Sequence, residues 1–125
     1  MPIIQIRALP QKSGIDIPHV LQTSCVEVAN VMQIPVHHIW ANWETLQNYV
    51  EGDRSVSIQP ESTHPPIVQL IMFEGRSVAL IEKIMETIAT TLCNTLHLQA
   101  GNVYILYTEA KAGLIHTGGK IRRSL

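Results

Sequence analysis

The sequence repeats itself after 64 residues, and this repeat constrains the fold more than any other feature. The opening segment Pro2-Ile3-Ile4-Gln5-Ile6 returns as Pro66-Ile67-Val68-Gln69-Leu70. The same shift superimposes apolar positions further along without a gap: Leu21 on Met85, Val28 on Leu92, Met32 on Leu96, Ile34 on Leu98, Ile39 on Val103 and Trp40 on Tyr104. Unrelated amphipathic elements rarely keep register over so long a span. We therefore infer an internal duplication of segments 2–45 and 66–109.

The first copy predicts a strand, a helix and a second strand. Residues 2–9 are rich in isoleucine and short enough for a strand. Asp16 is placed to cap a helix whose apolar residues recur at helical spacing through Gln33. The helix ends before Pro35, because the residue preceding a proline is pushed toward extended backbone. The second strand is predicted at residues 38–44.

The second copy predicts the same order of elements. Residues 66–73 form its first strand, and Ser77 is placed to cap a helix with one apolar stripe. Residues 103–108 form its last strand. Two β-α-β units with right-handed crossovers give an α/β two-layer domain, with a four-stranded mixed sheet and both helices on one face.

The face of the sheet away from the helices is expected to be apolar and uncovered. An apolar sheet face must be buried against another layer. Oligomerisation around a symmetry axis is the natural way to cover it.

Two segments lie outside the repeated units. Residues 49–65 contain little apolar material, so we predict a connecting loop, with a short edge strand at 55–59. Residues 112–125 begin with a glycine-rich loop or hairpin. They finish in a basic tail that we interpret as solvated or as a subunit contact: Lys120, Arg122 and Arg123.

Composition limits the class of protein. The 125 residues suit one domain over 1–125, and 46% hydrophobic residues provide material for a core. A net charge of −1 gives no attraction to nucleic acid or to an anionic membrane. No signal peptide or membrane span is recognisable. Cys25 and Cys93 have no nearby cysteine partner, so we expect reduced thiols in the cytoplasm.

No metal or cofactor is expected. His37 and His38 are adjacent at a strand start, where neighbouring side chains point to opposite faces, so they are poorly placed to share a metal. The glycine pair before Lys120 lacks the spacing and the Ser/Thr of a phosphate-binding loop.

Several motifs of the second copy keep the spacing of a known family. The chain resembles the tautomerase superfamily: its second half is similar to a complete 4-oxalocrotonate tautomerase subunit, and the doubled chain to longer members such as macrophage migration inhibitory factor. The resemblance implies a homotrimer of doubled β-α-β units. Its motifs are Pro66-Ile67-Val68-Gln69-Leu70, Glu74-Gly75-Arg76-Ser77, residues 103–109, Gly113 and Gly118-Gly119.

The resemblance implies a catalytic role for Pro2. In this family an N-terminal proline amine, held in a largely apolar pocket, moves a proton between carbon and oxygen of an enol or keto acid without a cofactor. Removal of Met1 would give Pro2 such an amine, and burial would disfavour its charged form and lower its pKa. The alternative is that Pro2 only opens a strand. Pro66 is an internal control, because its nitrogen is always an amide.

The resemblance also implies a carboxylate-binding arginine at Arg76. A guanidinium offers two parallel donors to a carboxylate and stays charged. The 64-residue shift places Lys12 at the equivalent position of the first copy, as a second cation at a subunit boundary. Arg76 and Lys12 are therefore candidate substrate-binding residues.

Other positions depart from the family pattern. Tyr104 stands where the family has a second arginine, and Ile115 stands where an aromatic residue walls the pocket; both are candidate substrate-binding residues. Phe73 and Thr117 replace an arginine and an acidic residue of the dehalogenase members, which argues against activation of water. We assign the aromatic residues to inner strands, chiefly as packing: Trp40, Trp43, Tyr104 and Tyr107.

The predicted activity is keto–enol tautomerisation of a small 2-keto or enol carboxylic acid, an isomerase reaction. Two alternatives stay open. One is a trimer of the same fold that has lost catalysis and acts as a ligand-binding or interaction protein. The other is a ferredoxin-like regulatory domain unrelated to tautomerases.

Overall fold

The computed structural model of the chain describes residues 2–124, and Met1 lies outside them. The repeat forms one four-stranded sheet with two helices, and two small hairpins follow the repeated units. The elements in chain order are β1 (Ile3–Ala8), α1 (Ile17–Met32), a 3₁₀ turn (Val36–His38), β2 (Trp40–Thr45), β3 (Val50–Glu51), β4 (Arg54–Ser55), β5 (Ile67–Phe73), α2 (Val78–Leu96), β6 (Tyr104–Ala110), β7 (His116–Thr117) and β8 (Lys120–Ile121).

The sheet has the order β2-β1-β5-β6. Each β-α-β unit contributes a parallel pair, and the two units join through antiparallel pairing of β1 with β5. This confirms the mixed sheet predicted from the duplication. The assignment of the aromatic strands to the interior was wrong, because β2 and β6 are the edges. The predicted strand start at His38 was also wrong, since the 3₁₀ turn delays β2 until Trp40.

The helix caps agree with the sequence prediction. The Asp16 carboxylate accepts a hydrogen bond from the His19 amide at 3.3 Å, and the Ser77 hydroxyl accepts one from the Leu80 amide at 3.2 Å. Both helices end on a residue in the left-handed conformation, Gln33 at φ 56° and His97 at φ 57°. The two C-terminal caps are 64 residues apart, so the duplication extends to the backbone. Neither helix of residues 2–124 is long and apolar enough to cross a membrane.

The core lies between the helices and one face of the sheet. Alternate residues of the two central strands are fully buried against both helices. Four pairs of buried residues in this cluster are related by the 64-residue shift: Ile4 and Val68, Ile6 and Leu70, Val20 and Ile84, and Val28 and Leu92. The cluster also contains Ala29, Ile39, Met72, Ile88 and Leu96.

The opposite face of the sheet is polar at its centre, so the expectation of an apolar face was wrong. Gln5 and Gln69 are directly paired across β1 and β5. Arg7 and Glu44 follow on β1 and β2. A depression of about 320 Å³ on this face is lined by Gln5, Arg7, Asn42, Glu44 and Gln69. The strand alternation places these polar residues away from the helices, so hydrophobic burial alone does not explain how this face would be covered.

The connecting loop and the C-terminal segment each fold into a two-stranded hairpin. The prediction of an edge strand at 55–59 was wrong, because the loop instead forms the short antiparallel pair of β3 and β4. Strands β7 and β8 lie 66 residues further on, with Gly118 and Gly119 at positive φ in the turn. The hairpin is therefore a third repeated element, offset by two residues from the rest of the duplication.

Candidate functional site

Pro2 is buried at the start of β1. Its carbonyl accepts a hydrogen bond from the Trp40 amide at 3.0 Å, which fixes it between β2 and the end of β5. Because β1 and β5 are antiparallel, Pro2 lies beside the final residues of β5, including the buried Met72 and Phe73. We call this end of the sheet the Pro2 end and the opposite end, where β5 begins, the Pro66 end.

Arg76 lies at the Pro2 end, between β5 and the N-terminus of α2. It is half-buried, and its Nε atom is fully buried without a hydrogen-bond partner in residues 2–124. The hydroxyl oxygen of Tyr107 on β6 is in the same condition. Burial raises the pKa of Tyr107; the nearby Glu109 raises it further, and the charges of Arg76 and Lys111 oppose the rise. Buried polar groups normally find partners, so two unpaired groups at one end mark a candidate binding site.

The carboxylates near Arg76 interact with other groups. Glu109 forms an ion pair with Lys111, which raises the pKa of that lysine, chiefly through the hydrogen bond between them. Glu74 accepts a hydrogen bond from the Ala112 amide at 2.8 Å. In the part of the chain that the structure describes, no carboxylate lies within 4.0 Å of the Arg76 guanidinium. Its charge is left for an incoming anion.

The C-terminal segment folds back over the Pro2 end. The Arg122 amide donates to the Ile115 carbonyl at 2.9 Å, and the Gly113 amide donates to the Arg122 carbonyl at 2.8 Å. The Arg122 guanidinium lies 4.3 Å from the centre of the Phe73 ring, a cation–π contact. The interpretation of Arg122 as a solvated tail residue was therefore wrong. Ile115 lies in the C-terminal segment that positions Arg122.

Arg122 also lines a pocket that the sequence did not predict. This pocket has a volume of about 320 Å³, and it is bounded by His37, His38, Trp40 and Arg122. The arginine is distant in sequence from the other three residues. No sequence signal joins them, because their proximity depends on the fold of the C-terminal segment.

Lys12 and Tyr104 lie at the Pro66 end. Lys12 Nζ is 3.7 Å from a Glu61 carboxylate oxygen and donates to the His97 carbonyl at 3.4 Å. The Tyr104 amide donates to the Pro66 carbonyl at 2.9 Å, repeating the contact of Trp40 with Pro2, and its side chain is 56% exposed. A six-residue strand spans about 20 Å. One chain therefore brings Arg76 and Ile115 to the Pro2 end, and does not bring Lys12 or Tyr104 there.

The connecting loop fills the Pro66 end. His64 is fully buried, its Nε2 donates to the Arg54 carbonyl at 2.9 Å, and its amide donates to a Glu51 carboxylate oxygen at 2.9 Å. That last hydrogen bond is the main reason why the pKa of Glu51 is lowered. The Asn102 side chain donates to the carbonyls of Glu61 and Thr63, each at 3.0 Å. The residues leading into Pro66 are thus held in place by the chain itself.

Residues 2–124 contain no group of three or more His, Cys, Asp or Glu side chains arranged to hold a metal ion. A depression of about 650 Å³ runs along α1 and the β2 edge and is lined mainly by apolar side chains. It includes the half-buried Cys25, whose pKa is raised by burial.

Solved structures show the same fold. Pt0534, solved after inactivation by 2-oxo-3-pentynoate, matches with a TM-score of 0.81 and 15% identity over 96% of this chain and 94% of its own. Native fused 4-OT matches with a TM-score of 0.81 and 12% identity over 95% and 94%. A macrophage migration inhibitory factor-like protein from Entamoeba histolytica matches with a TM-score of 0.72 and 13% identity over 96% and 97%.

Sequence comparison adds no relative, since no protein-family profile and no curated protein matches the chain significantly. The likeness is therefore one of structure, and it extends over nearly the whole chain. The chain has the fold of the tautomerase superfamily, as its duplicated motifs predicted.

Proposed function

We propose that the protein is a cofactor-free tautomerase that interconverts the keto and enol forms of a small 2-keto carboxylic acid. The observation that carries this proposal is the position of the buried Pro2 at the same end of the sheet as two unpaired buried polar atoms, Arg76 Nε and Tyr107 Oη. A base in apolar surroundings beside a cation and a hydroxyl donor suits proton transfer on an acid.

Removal of Met1 gives Pro2 a secondary amine. In the proposed reaction this amine takes the proton from the enol hydroxyl, and the resulting ammonium returns a proton to carbon, so that the base is regenerated. The Arg76 guanidinium binds the substrate carboxylate through paired N–H donors. The Tyr107 hydroxyl donates to an oxygen of the same ligand, which satisfies a group that is otherwise unpaired.

The proposed assembly is a homotrimer in the cytoplasm, with small carboxylate-bearing acids as ligands and no nucleic acid or membrane partner. Two structures that match the chain are described as a symmetric and an asymmetric trimer of fused 4-OT. In a site formed between subunits, Lys12 and Tyr104 would bind the substrate, because a neighbouring copy of the chain can bring its Pro66 end near Pro2. Ile115 walls the same site in place of an aromatic residue.

Turnover of phenylenolpyruvate by the purified protein tests the activity. We expect ketonisation well above the spontaneous rate. If protein lacking Met1 gives no turnover but still binds the acid, the fold serves as a ligand-binding protein and the tautomerase proposal fails.

A reactive probe tests the base independently. Pt0534 is inactivated by 2-oxo-3-pentynoate, an acetylenic 2-keto acid. We expect the Pro2 amine to add to the alkyne carbon β to the ketone: the nitrogen lone pair forms the N–C bond, the alkyne electrons move toward the carbonyl, and the α carbon takes up a proton. The adduct has the full mass of the probe, with no leaving group. Peptide mapping should locate it on Pro2, and an adduct confined to Cys25 would contradict the proposal.

A further inference from the structure

We propose that the C-terminal hairpin of one copy of the chain docks on the connecting hairpin of a second copy, with Leu114 entering the depression beside Val56 and Ile58. One copy contributes the basic segment, residues 111–124, and the next copy contributes the acidic segment, residues 46–65. The contact is therefore heterologous, joining two different surfaces of the same chain. This inference rests on the proposed assembly of several copies and adds the surfaces through which they meet.

Leu114 is displayed on a fixed turn of the basic segment. Its side chain is 80% exposed, the highest value among the large hydrophobic side chains of residues 2–124. Its amide donates to the Lys111 carbonyl at 3.1 Å, and the preceding Gly113 amide donates to the Arg122 carbonyl at 2.8 Å. Gly113 has φ 82°, a conformation that favours glycine. An apolar side chain held in this way loses little backbone freedom when it binds.

The acidic segment offers a depression of matching character. The depression has a volume of about 610 Å³ and is lined by Gln47, Ser55, Val56, Ser57 and Ile58. Val56 and Ile58 are exposed, so its apolar wall faces solvent in a single chain. The next residue, Gln59, is buried; its amide donates to the Pro10 carbonyl at 2.9 Å and its side chain to the His64 carbonyl at 2.8 Å. The depression is therefore fixed to the fold before a partner arrives.

The two segments carry opposite charge. Residues 111–124 contain no acidic side chain and four cationic ones: Lys111, Lys120, Arg122 and Arg123. Residues 46–65 contain one cationic side chain, Arg54, and three acidic ones: Glu51, Asp53 and Glu61. The two hairpins are equivalent elements of the repeat, so the duplication has given one element two opposite charges. Opposite potentials orient two surfaces toward each other and speed their association.

Part of this charge is unpaired within one chain. Asp53, Lys120 and Arg123 are exposed, and none of them has an opposite charge within 4.0 Å among residues 2–124. Other charges of the two segments are already paired, since Arg54 contacts Glu51. The unpaired charges are available to a neighbouring copy.

A single chain cannot close this contact on itself. The basic segment lies at the Pro2 end, where the Arg122 guanidinium stacks on Phe73. The acidic segment lies at the Pro66 end, where the Asn102 side chain donates to its backbone. The two ends are separated by the length of the strands, about 20 Å for six residues. Only another copy, placed head to tail, can bring the two surfaces together.

Mixing two variants tests the head-to-tail contact. Leu114→Ser damages only the basic segment, and Ile58→Ser damages only the acidic segment. At a concentration where the wild type assembles, we expect each variant alone to associate at least about tenfold more weakly, because a buried apolar side chain is lost from the contact. An equal mixture retains one intact surface from each variant. Native mass spectrometry, with one variant labelled with nitrogen-15, should therefore show a heterodimer.

Two outcomes of the mixing experiment would overturn the proposal. One is a mixture that stays monomeric, and the other is a pair of variants that each assemble like the wild type. Both substituted side chains are exposed, so neither change should unfold the chain, and thermal melting checks this. If a serine variant melts early, the alanine variant at the same position takes its place. Val26→Ser is the matched control, because Val26 is 45% exposed on α1, outside both segments, and it should assemble like the wild type.

Salt tests the charge complementarity separately. Raising the NaCl concentration from about 0.05 M to about 0.5 M should weaken association of the wild type severalfold, because salt screens exposed charges. The double variant Asp53→Asn, Lys120→Gln should lose part of this dependence. Association of the wild type that does not change with salt would contradict the role of the opposite charges.

Turnover of phenylenolpyruvate, measured on the same samples, separates this contact from the proposed activity. Serine variants that assemble and turn over substrate like the wild type would refute the contact and leave the tautomerase standing. A heterodimer in the mixture, together with no turnover by the wild type, would refute the tautomerase and leave the contact standing.

Discussion

The Pro2 end and the Pro66 end of the sheet come from the same repeated sequence and are completed in opposite ways. At the Pro66 end the connecting loop folds into the space beside the proline, where His64 and Asn102 hold it with hydrogen bonds. At the Pro2 end the equivalent space is a pocket. The duplication gives two similar spaces, and among residues 2–124 the connecting loop occupies the one beside Pro66.

The polar groups at the two ends show the same contrast. Trp43 and Tyr107 are equivalent positions: the Trp43 Nε1 donates to the Thr45 hydroxyl at 3.1 Å, whereas the Tyr107 hydroxyl has no partner in residues 2–124. Lys12 is paired with Glu61, whereas the equivalent Arg76 keeps an unpaired Nε. The exception is the Oε1 of Gln11, which is unpaired and buried although it lies beyond the closed end of β1. A region that keeps unpaired buried donors gives up stability for binding.

The largest expected effect separates the two prolines. Pro2→Ala should lower kcat/KM for phenylenolpyruvate by about 100-fold or more, because it replaces the secondary amine that acts as base. Pro66→Ala should leave the rate within about threefold of the wild type, since its nitrogen is an amide in a closed region and takes no part in general acid–base chemistry. Similar losses in both variants would show that the prolines act only through the strands they open.

The second comparison concerns the two equivalent cations. Arg76→Gln should raise KM by about 10- to 100-fold, as expected for loss of charge-assisted hydrogen bonds to a carboxylate. Lys12→Gln should cost less than about 1 kcal/mol of stability, because its ion pair with Glu61 is largely exposed. Steady-state kinetics measure KM, and chemical denaturation measures the free energy of unfolding. A smaller rise in KM for Lys12→Gln would support the proposal that a neighbouring subunit brings Lys12 to the site. An unchanged KM for Arg76→Gln would contradict the assignment of Arg76 to the substrate carboxylate.

The third comparison uses the stability of the closed end. Asn102→Ala should destabilise the protein by about 2 kcal/mol, because the buried loop carbonyls lose their donor. His38→Ala, at the equivalent exposed position, should change stability by less than about 0.5 kcal/mol. Urea denaturation gives the free energy of unfolding of each variant and so tests both values. A large destabilisation by His38→Ala would remove the contrast between the ends.

The smallest effect is expected at Tyr107. Tyr107→Phe removes a buried hydroxyl without a partner, so the free energy of unfolding should stay equal or rise by about 1 kcal/mol, while KM rises about 3- to 10-fold. Burial raises the pKa of the Tyr107 phenol in the folded protein. Below the pKa of the unfolded state the phenol is neutral in both states, and as pH rises through the higher folded pKa its ionisation favours the unfolded state. The wild type should therefore lose more stability than the variant above about pH 10. Identical alkaline melting curves would contradict it.

The sequence predicted the features that depend on local pattern. The caps at Asp16 and Ser77 follow from residues within a few positions of one another. The pairing of two β-α-β units follows from the 64-residue repeat of the strand and helix patterns. The polar sheet face could also have been predicted from the sequence, because strict alternation along β1 places Gln5 and Arg7 away from the helices. The expectation of an apolar face ignored that alternation.

Other features required the folded chain. In the sequence Arg122 belongs to a basic tail. Only the folding back of the C-terminal segment places its guanidinium over Phe73. The separation of Lys12 from Arg76 depends on the antiparallel joining of the two copies, which sends equivalent positions to opposite ends of the sheet. The unpaired atoms of Arg76 and Tyr107 are likewise invisible until their neighbours are known.

The chemical contrast between the two prolines depends on a single covalent difference, because Pro2 is a base only when no residue precedes it. Intact-mass spectrometry of the protein isolated from its own cells tests this most directly. We predict a mass that corresponds to the chain without Met1, which leaves Pro2 with a free secondary amine. A population that fully retains Met1 would make Pro2 an amide like Pro66 and would contradict the account.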